Sequence, residues 1–184
     1  GTVDSLLAVY TLNRKKRRDD AFGPGGKGGR RPARATIVYT NAVRAVFKDI
    51  PVVLGGIEAG TRRFAHVDWW DGTIRRSVLC DSRCDLIVWG EGELVAQHIS
   101  ELLARGEKKL WGIPGTAIRI RPSEFEEALS CAARYFRVKG RPFEDPVHDL
   151  APFPDLPREI VYLPAYEDLL GAPRRFLLEV SETI

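Results

Sequence analysis

The sequence predicts an α/β fold, a parallel sheet covered by helices on both faces, and three observations carry that expectation. Two short apolar runs, Pro51–Leu54 and Leu86–Trp89, are each followed by glycine. They have the length and composition of strands buried on both sides. Amphipathic stretches of helical length alternate with them, and that alternation implies a parallel sheet between helical layers. The chain of 184 residues, 44% apolar and 29% charged, is long enough for one domain with a core.

Taken in order, residues 4–18 read as a helix capped by Asp4 or Ser5, with Leu6, Val9, Tyr10 and Asn13 on one face. The basic run Arg14–Arg18 would form its last turn, where cations suit the helix dipole. Gly23–Gly29 has no fixed backbone preference and reads as a loop. Pro32 can open a second helix over residues 33–48. The strand Pro51–Leu54 ends in the turn Gly55-Gly56, and the strand Leu86–Trp89 in Gly90-Glu91-Gly92-Glu93. A helix over 93–105 carries Leu94, Val95, His98, Ile99, Leu102 and Leu103 on its apolar side, and Gly106 ends it. Residues 110–120 read as a further strand interrupted between Gly112 and Gly115. Ser123 with Glu126 forms a capping-box pattern before a helix marked by Phe125, Ala128, Leu129, Ala132 and Phe136. From Gly140 onward the chain is proline-rich and reads as a connector, which divides it into a domain at 1–139 and a connector at 140–184.

Composition excludes some classes of function. No apolar run approaches the roughly 20 residues of a membrane-spanning helix, and no signal-peptide pattern opens the chain. Three cysteines make no disulfide framework, which points to a reducing cytoplasm. The chain contains no methionine, so Gly1 reads as other than a native start and the chain as a fragment. The net charge of +3 is uneven. Residues 14–34 hold nine Lys or Arg against Asp19 and Asp20, a local +7 that leaves −4 for the rest. A basic segment on a mildly acidic body suggests a local anionic partner rather than a general nucleic-acid binder.

Among the motifs, Gly23, Gly25 and Gly28 spell G-x-G-x-x-G, but after a charged helix rather than a strand, so a basic loop is the better reading. Cys80 and Cys84 have the first spacing of a C-x-x-x-C-x-x-C cluster motif, yet the third position is Ile87. Two thiolates do not hold a [4Fe–4S] cluster. Cys131 and the three histidines are too scattered for zinc. His66 with Asp68 could form a base and its orienting carboxylate, although no nucleophile accompanies them. Trp69 and Trp70 read as packing. The group is worth more than its members. Gly55, Gly56, Glu58, Arg62, Arg63, His66 and Asp68 follow one strand, and Gly90, Glu91, Gly92 and Glu93 follow the next. Open α/β sheets bind ligands beyond the carboxyl ends of their strands, so both loops are expected on one rim. Arg62 and Arg63 are the expected binders of an anionic group there.

These residues resemble the N-terminal region of the YgiQ-type radical-SAM family. The resemblance runs through Asp4-Ser5, Tyr10-Thr11, Asp19–Phe22, Pro24-Gly25 and Arg31-Pro32 to Arg34–Asn41. It continues in Val53–Ala59 with Arg62-Arg63, Ala65-His66 and Asp68, then Arg75–Leu79, Asp85 and Gly90–Glu93, and fades after about Ile120. Pro164–Glu167 is similar to the family's approach to its barrel. The resemblance implies a three-layer, Rossmann-like fold of the cobalamin-binding-domain type, here incomplete at its N-terminus. It implies a radical-SAM barrel of the same polypeptide as partner. That barrel would carry a [4Fe–4S] cluster and S-adenosylmethionine on residues absent from this chain. The domain would then be an accessory one that shapes the substrate entrance and is not catalytic alone. Two other readings stay open: a stand-alone module binding cobalamin or a nucleotide cofactor, and an RNA-binding piece built on residues 14–34. Few aromatic residues accompany that basic segment, which gives base stacking little support.

Overall fold

A computed structural model of the chain describes residues 3–132 and 166–171. Two elements form the centre: strands β1 (Val53–Leu54) and β4 (Leu86–Val88), paired in parallel with Val53 opposite Leu86 and Leu54 opposite Ile87. All of β4 is buried, as an apolar run flanked on both sides requires. β1 is half-buried, because among the described residues it pairs on one side only.

The third strand departs from expectation. β5 (Thr116–Ile118) runs antiparallel to β4, with Val88 opposite Thr116 and Leu86 opposite Ile118. The described sheet is therefore mixed, in the order β1-β4-β5, rather than parallel throughout. Its cause is the link after helix α5 (Glu93–Ala104). A crossover helix alone would return the chain to the start of β4 and produce a parallel neighbour. Residues 106–115 instead travel back to the far end of β4, where the Trp89 N–H donates to the Gly115 carbonyl. The chain then enters the sheet in reverse. One core forms where α5 covers this sheet, from Leu86, Val88, Val95, Ile99, Leu110 and Ile113. A second, on Ala59, Val78, Leu79, Cys84 and Ile87, is closed by Ile37 and Leu54.

The N-terminal segment also differs. Helix α1 (Ser5–Val9) is short, with Asp4 Oδ1 accepting from Leu6 N at 2.9 Å as its cap. The chain then reverses, with Arg14 in the left-handed region (φ 58°) and the Arg17 N–H donating to the Val9 carbonyl. Continuing the helix would have stacked five consecutive cations along it. In the turn, Arg17 Nε instead donates to the carbonyls of Leu7 and Tyr10 at 3.0 and 3.1 Å. The glycine-rich loop folds around buried Asp20, which accepts from Phe22 N and pairs with Arg31 Nε at 3.1 Å. Gly28 is required there by space: a Cβ would lie 2.4 Å from the Arg17 carbonyl oxygen.

Helix α2 (Ala35–Val46) lies within the expected span. It is followed after β1 by α3 (Ile57–Thr61), the antiparallel hairpin β2 (His66–Val67) and β3 (Ile74–Arg75), and α4 (Val78–Asp81). The capping box ahead of α6 (Phe125–Ala132) uses Glu124, whose carboxylate accepts from Arg121 N at 2.8 Å, in place of the Ser123–Glu126 pair. Helix α7 (Tyr166–Gly171) packs against β3. Phe136 and the prolines from Pro142 to Pro164 lie outside the described residues. No described helix is long and apolar enough to cross a membrane.

Ile87 is wholly buried in the second core, whereas Leu12 is 81% exposed. Ile87→Ala is expected to cost about 2–5 kcal/mol in denaturant unfolding, and Leu12→Ala to stay within about 0.5 kcal/mol.

Candidate functional site

β1 and β4 are adjacent and parallel, so the loops after them leave the same end of the sheet and enclose a crevice of about 760 Å³. Gly55, Gly56, Arg63, Gly90, Gly92 and Glu93 line it, together with Val88 and Trp89. Gly56 caps α3 with φ 87° and ψ 179°, a backbone state that needs glycine. A second hollow of about 510 Å³ opens at the other end of the strands, beside Pro51, Asp85 and Trp111, where Arg44 is neutralised by Asp85.

The remaining rim candidates face elsewhere. Glu58 is buried, and its carboxylate accepts from four donors on two other helices: Ser5 N (3.0 Å), Ser5 Oγ, Thr36 N (3.3 Å) and Thr36 Oγ1 (2.6 Å). It ties the first turns of α1 and α2 to α3. Arg62 pairs with Asp4 Oδ2, the second oxygen of the carboxylate that caps α1. Asp68 is 2% exposed and receives Arg34 Nη2 at 2.7 Å, Arg75 Nε at 3.1 Å and the Trp70 N–H at 2.9 Å. Burial pushes its carboxyl up, but the hydrogen bonds from Arg34 and Trp70 outweigh that and hold it below the usual carboxylate range. Asp71 completes the group: hydrogen bonds from Thr73 and Arg75 hold its carboxyl far below the ordinary value. Trp70 stacks on Tyr10 with ring centroids 3.9 Å apart, and Trp69 meets it edge-on at 6.0 Å.

His66 stands on β2, opposite Arg75, with Nδ1 donating to the Phe64 carbonyl at 3.1 Å. Burial pulls its pKa below 6.5, partly offset by that hydrogen bond. Neither His66 nor Glu91 lines the crevice. Among the described residues the site thus resolves into a crevice with one cation, Arg63, and a separate ionic network. Asp4, Ser5, Arg34, Thr36 and Arg75 belong to that network and Trp89 to the crevice wall; none was singled out for such a role. The local signal reaches only Asp4 and Ser5, the two candidate caps of the first helix. The partners of Glu58 are 53 and 22 residues away in sequence, where no local pattern reaches.

Cys84 is buried and burial raises its thiol, while Cys80 and Cys131 are half-buried on α4 and α6. Among the described residues no group of three His, Cys, Asp or Glu side chains could hold a metal ion. The residues present do not fit an iron–sulfur cluster. Neither described histidine, His66 or His98, lines the crevice.

The family model described as "Radical SAM N-terminal" matches residues 1–183. This chain belongs to that family. The radical-SAM N-terminal chain is 54% identical over 105 residues to a UPF0313 protein of Thermotoga neapolitana, covering 57% of the chain and 18% of that relative. It is 55% identical to a Thermotoga maritima relative with the same coverage. A Clostridium botulinum UPF0313 protein is 52% identical over 108 residues, 59% of the chain and 17% of the relative. The resemblance to the YgiQ-type family is therefore shown, and the chain matches under a fifth of the length of these relatives. No solved structure matches it.

Two outcomes follow for the network. Arg62→Ala leaves buried Asp4 unpaired and is expected to cost about 3–5 kcal/mol, whereas Arg62→Met with Asp4→Asn should recover most of that loss in a double-mutant cycle. His66 has a lowered folded-state pKa, so its stabilisation is complete above about pH 6.5 and is lost as pH falls below that value. The thermal midpoint of His66→Gln should fall less than wild type's between pH 7 and pH 5.

Proposed function

We propose that this domain is the N-terminal accessory part of a radical-SAM protein. In this reading the [4Fe–4S] cluster and S-adenosylmethionine are held by a barrel elsewhere in the same polypeptide, and the rim formed by residues 55–63 and 90–93 faces that barrel at the substrate entrance. The observation that carries the reading is the family match over residues 1–183, joined to cysteines that do not fit a cluster. The division into an accessory domain at 1–139 and a connector at 140–184 belongs to the same proposal, as does a cytoplasmic location, which the free thiols favour. The crevice supports an entrance because it lies beyond the carboxyl ends of parallel strands and is walled by glycine backbone and apolar side chains. The basic segment gives an RNA-binding role little support. Arg17 is spent on carbonyls and Arg31 on Asp20, within the fold itself.

The test uses the full-length protein, reconstituted with iron and sulfide without oxygen. The variant Cys80→Ala, Cys84→Ala, Cys131→Ala should hold as much iron as wild type, about four per chain, with the same visible absorbance. Loss of the cluster in that variant, or a wild-type protein that binds none, would overturn the proposal.

A further inference from the structure

Arg63 is the one cation lining the crevice among the described residues, and no carboxylate pairs with it there. Its guanidinium carbon sits 4.4 Å from the Trp89 ring centroid and 4.8 Å from that of Phe64. Nη1 donates to the Gly60 carbonyl at 2.6 Å. Nε is buried with no acceptor, and no carboxylate among the described residues pairs with the group. The neighbouring arginines differ: Arg34, Arg44, Arg62, Arg75 and Arg76 each hold an acid. Arg75 Nε is also buried without a hydrogen bond, yet it lies 3.1 Å from the Asp68 carboxylate.

A partly desolvated guanidinium with an unused donor costs free energy that an incoming anion would recover. The two aromatic rings already hold its plane, so little freedom is lost when a planar acceptor arrives. The surroundings narrow the class of ligand. Val53, Leu54, Ile57 and Val88 supply apolar wall, and a volume of about 760 Å³ suits a small organic molecule. Glu93 is the one acid lining the crevice among the described residues, and a second negative charge on the ligand would meet it. A monoanion is favoured over a phosphate monoester.

We infer that the crevice binds a carboxylate carried on a flat apolar body, with Arg63 receiving the carboxylate and Trp89 holding Arg63 in place. This rests on reading the rim as a substrate entrance, and it assigns the anion to Arg63 alone, since Arg62 is committed to Asp4. Burial lowers the Arg63 pKa, in keeping with a desolvated cation, while leaving it charged at neutral pH.

The probes are 2-naphthoate and its neutral isostere 2-naphthamide, titrated into the full-length protein by ligand-observed NMR, with inorganic phosphate as competitor. The acid should bind about tenfold or more tightly than the amide, and phosphate should displace it poorly. Arg63→Gln should erase the preference. Should that variant not fold, Arg63→Lys decides: a point charge in place of the fork should shrink the preference. Equal binding of acid and amide, binding of neither, displacement by phosphate at lower concentration than by 2-naphthoate itself, or an undiminished preference in Arg63→Lys would each overturn the inference. Iron content in the cysteine variant is independent of this titration, so the carboxylate site and the accessory-domain reading can fail separately.

Discussion

Glu58 buries a carboxylate among donors from Ser5 and Thr36, and the geometry of the crevice depends on that arrangement more than on any apolar contact. Helix α3 has only five residues, too few to hold its own position. What fixes it is a charge taken out of water and satisfied by the first turns of two other helices. Asp4 and Arg62 repeat the device one turn along, with one carboxylate capping α1 and holding the end of α3. Buried ion pairs add little net stability, since desolvation offsets much of their attraction. They do penalise every arrangement that separates the partners. Here that penalty sets the direction in which Gly55, Gly56 and Arg63 face.

The hairpin of β2 and β3 shows the same economy. Two residues per strand could not persist alone. Asp68 at its turn gathers Arg34 from the approach to α2 and Arg75 from β3, and its Oδ1 accepts from the Trp70 N–H. Tyr10 stacks on Trp70, so the chain reversal after α1 closes over the same turn. Helices α1, α2 and α3 and the hairpin are tied into one unit by acids that are mostly out of reach of solvent.

The strands and helices around the crevice were legible because they are local. Leu86–Val88 is a continuous apolar run, Gly106 ends α5 at φ 83°, and glycines follow both β1 and β4. Three features were not. The direction of β5 depends on how residues 106–115 travel, which periodicity does not encode. The helix expected over 4–18 stops at Val9, because Arg17 can satisfy the terminal carbonyls only if the chain turns back. Helix α2 carries apolar residues around much of its circumference. Ile37 faces a core while Val38, Tyr39, Val46 and Phe47 stay exposed, so the pattern alone does not choose its buried face.

Arg62 and Arg63 show the limit of reading charge from sequence most directly. As neighbours with the same side chain they suggest one doubled anion site. They follow the last turn of α3, where successive residues point in different directions. One side chain therefore turns inward to Asp4 and the other outward between two aromatic rings. The inward arginine has its counter-charge in the fold, so removing it breaks the scaffold. The outward one is held by polarizable rings and a carbonyl, which fix its orientation without neutralising it. Orientation without neutralisation is therefore a property of one residue of the pair, set by which side chain the short helix turns toward Asp4.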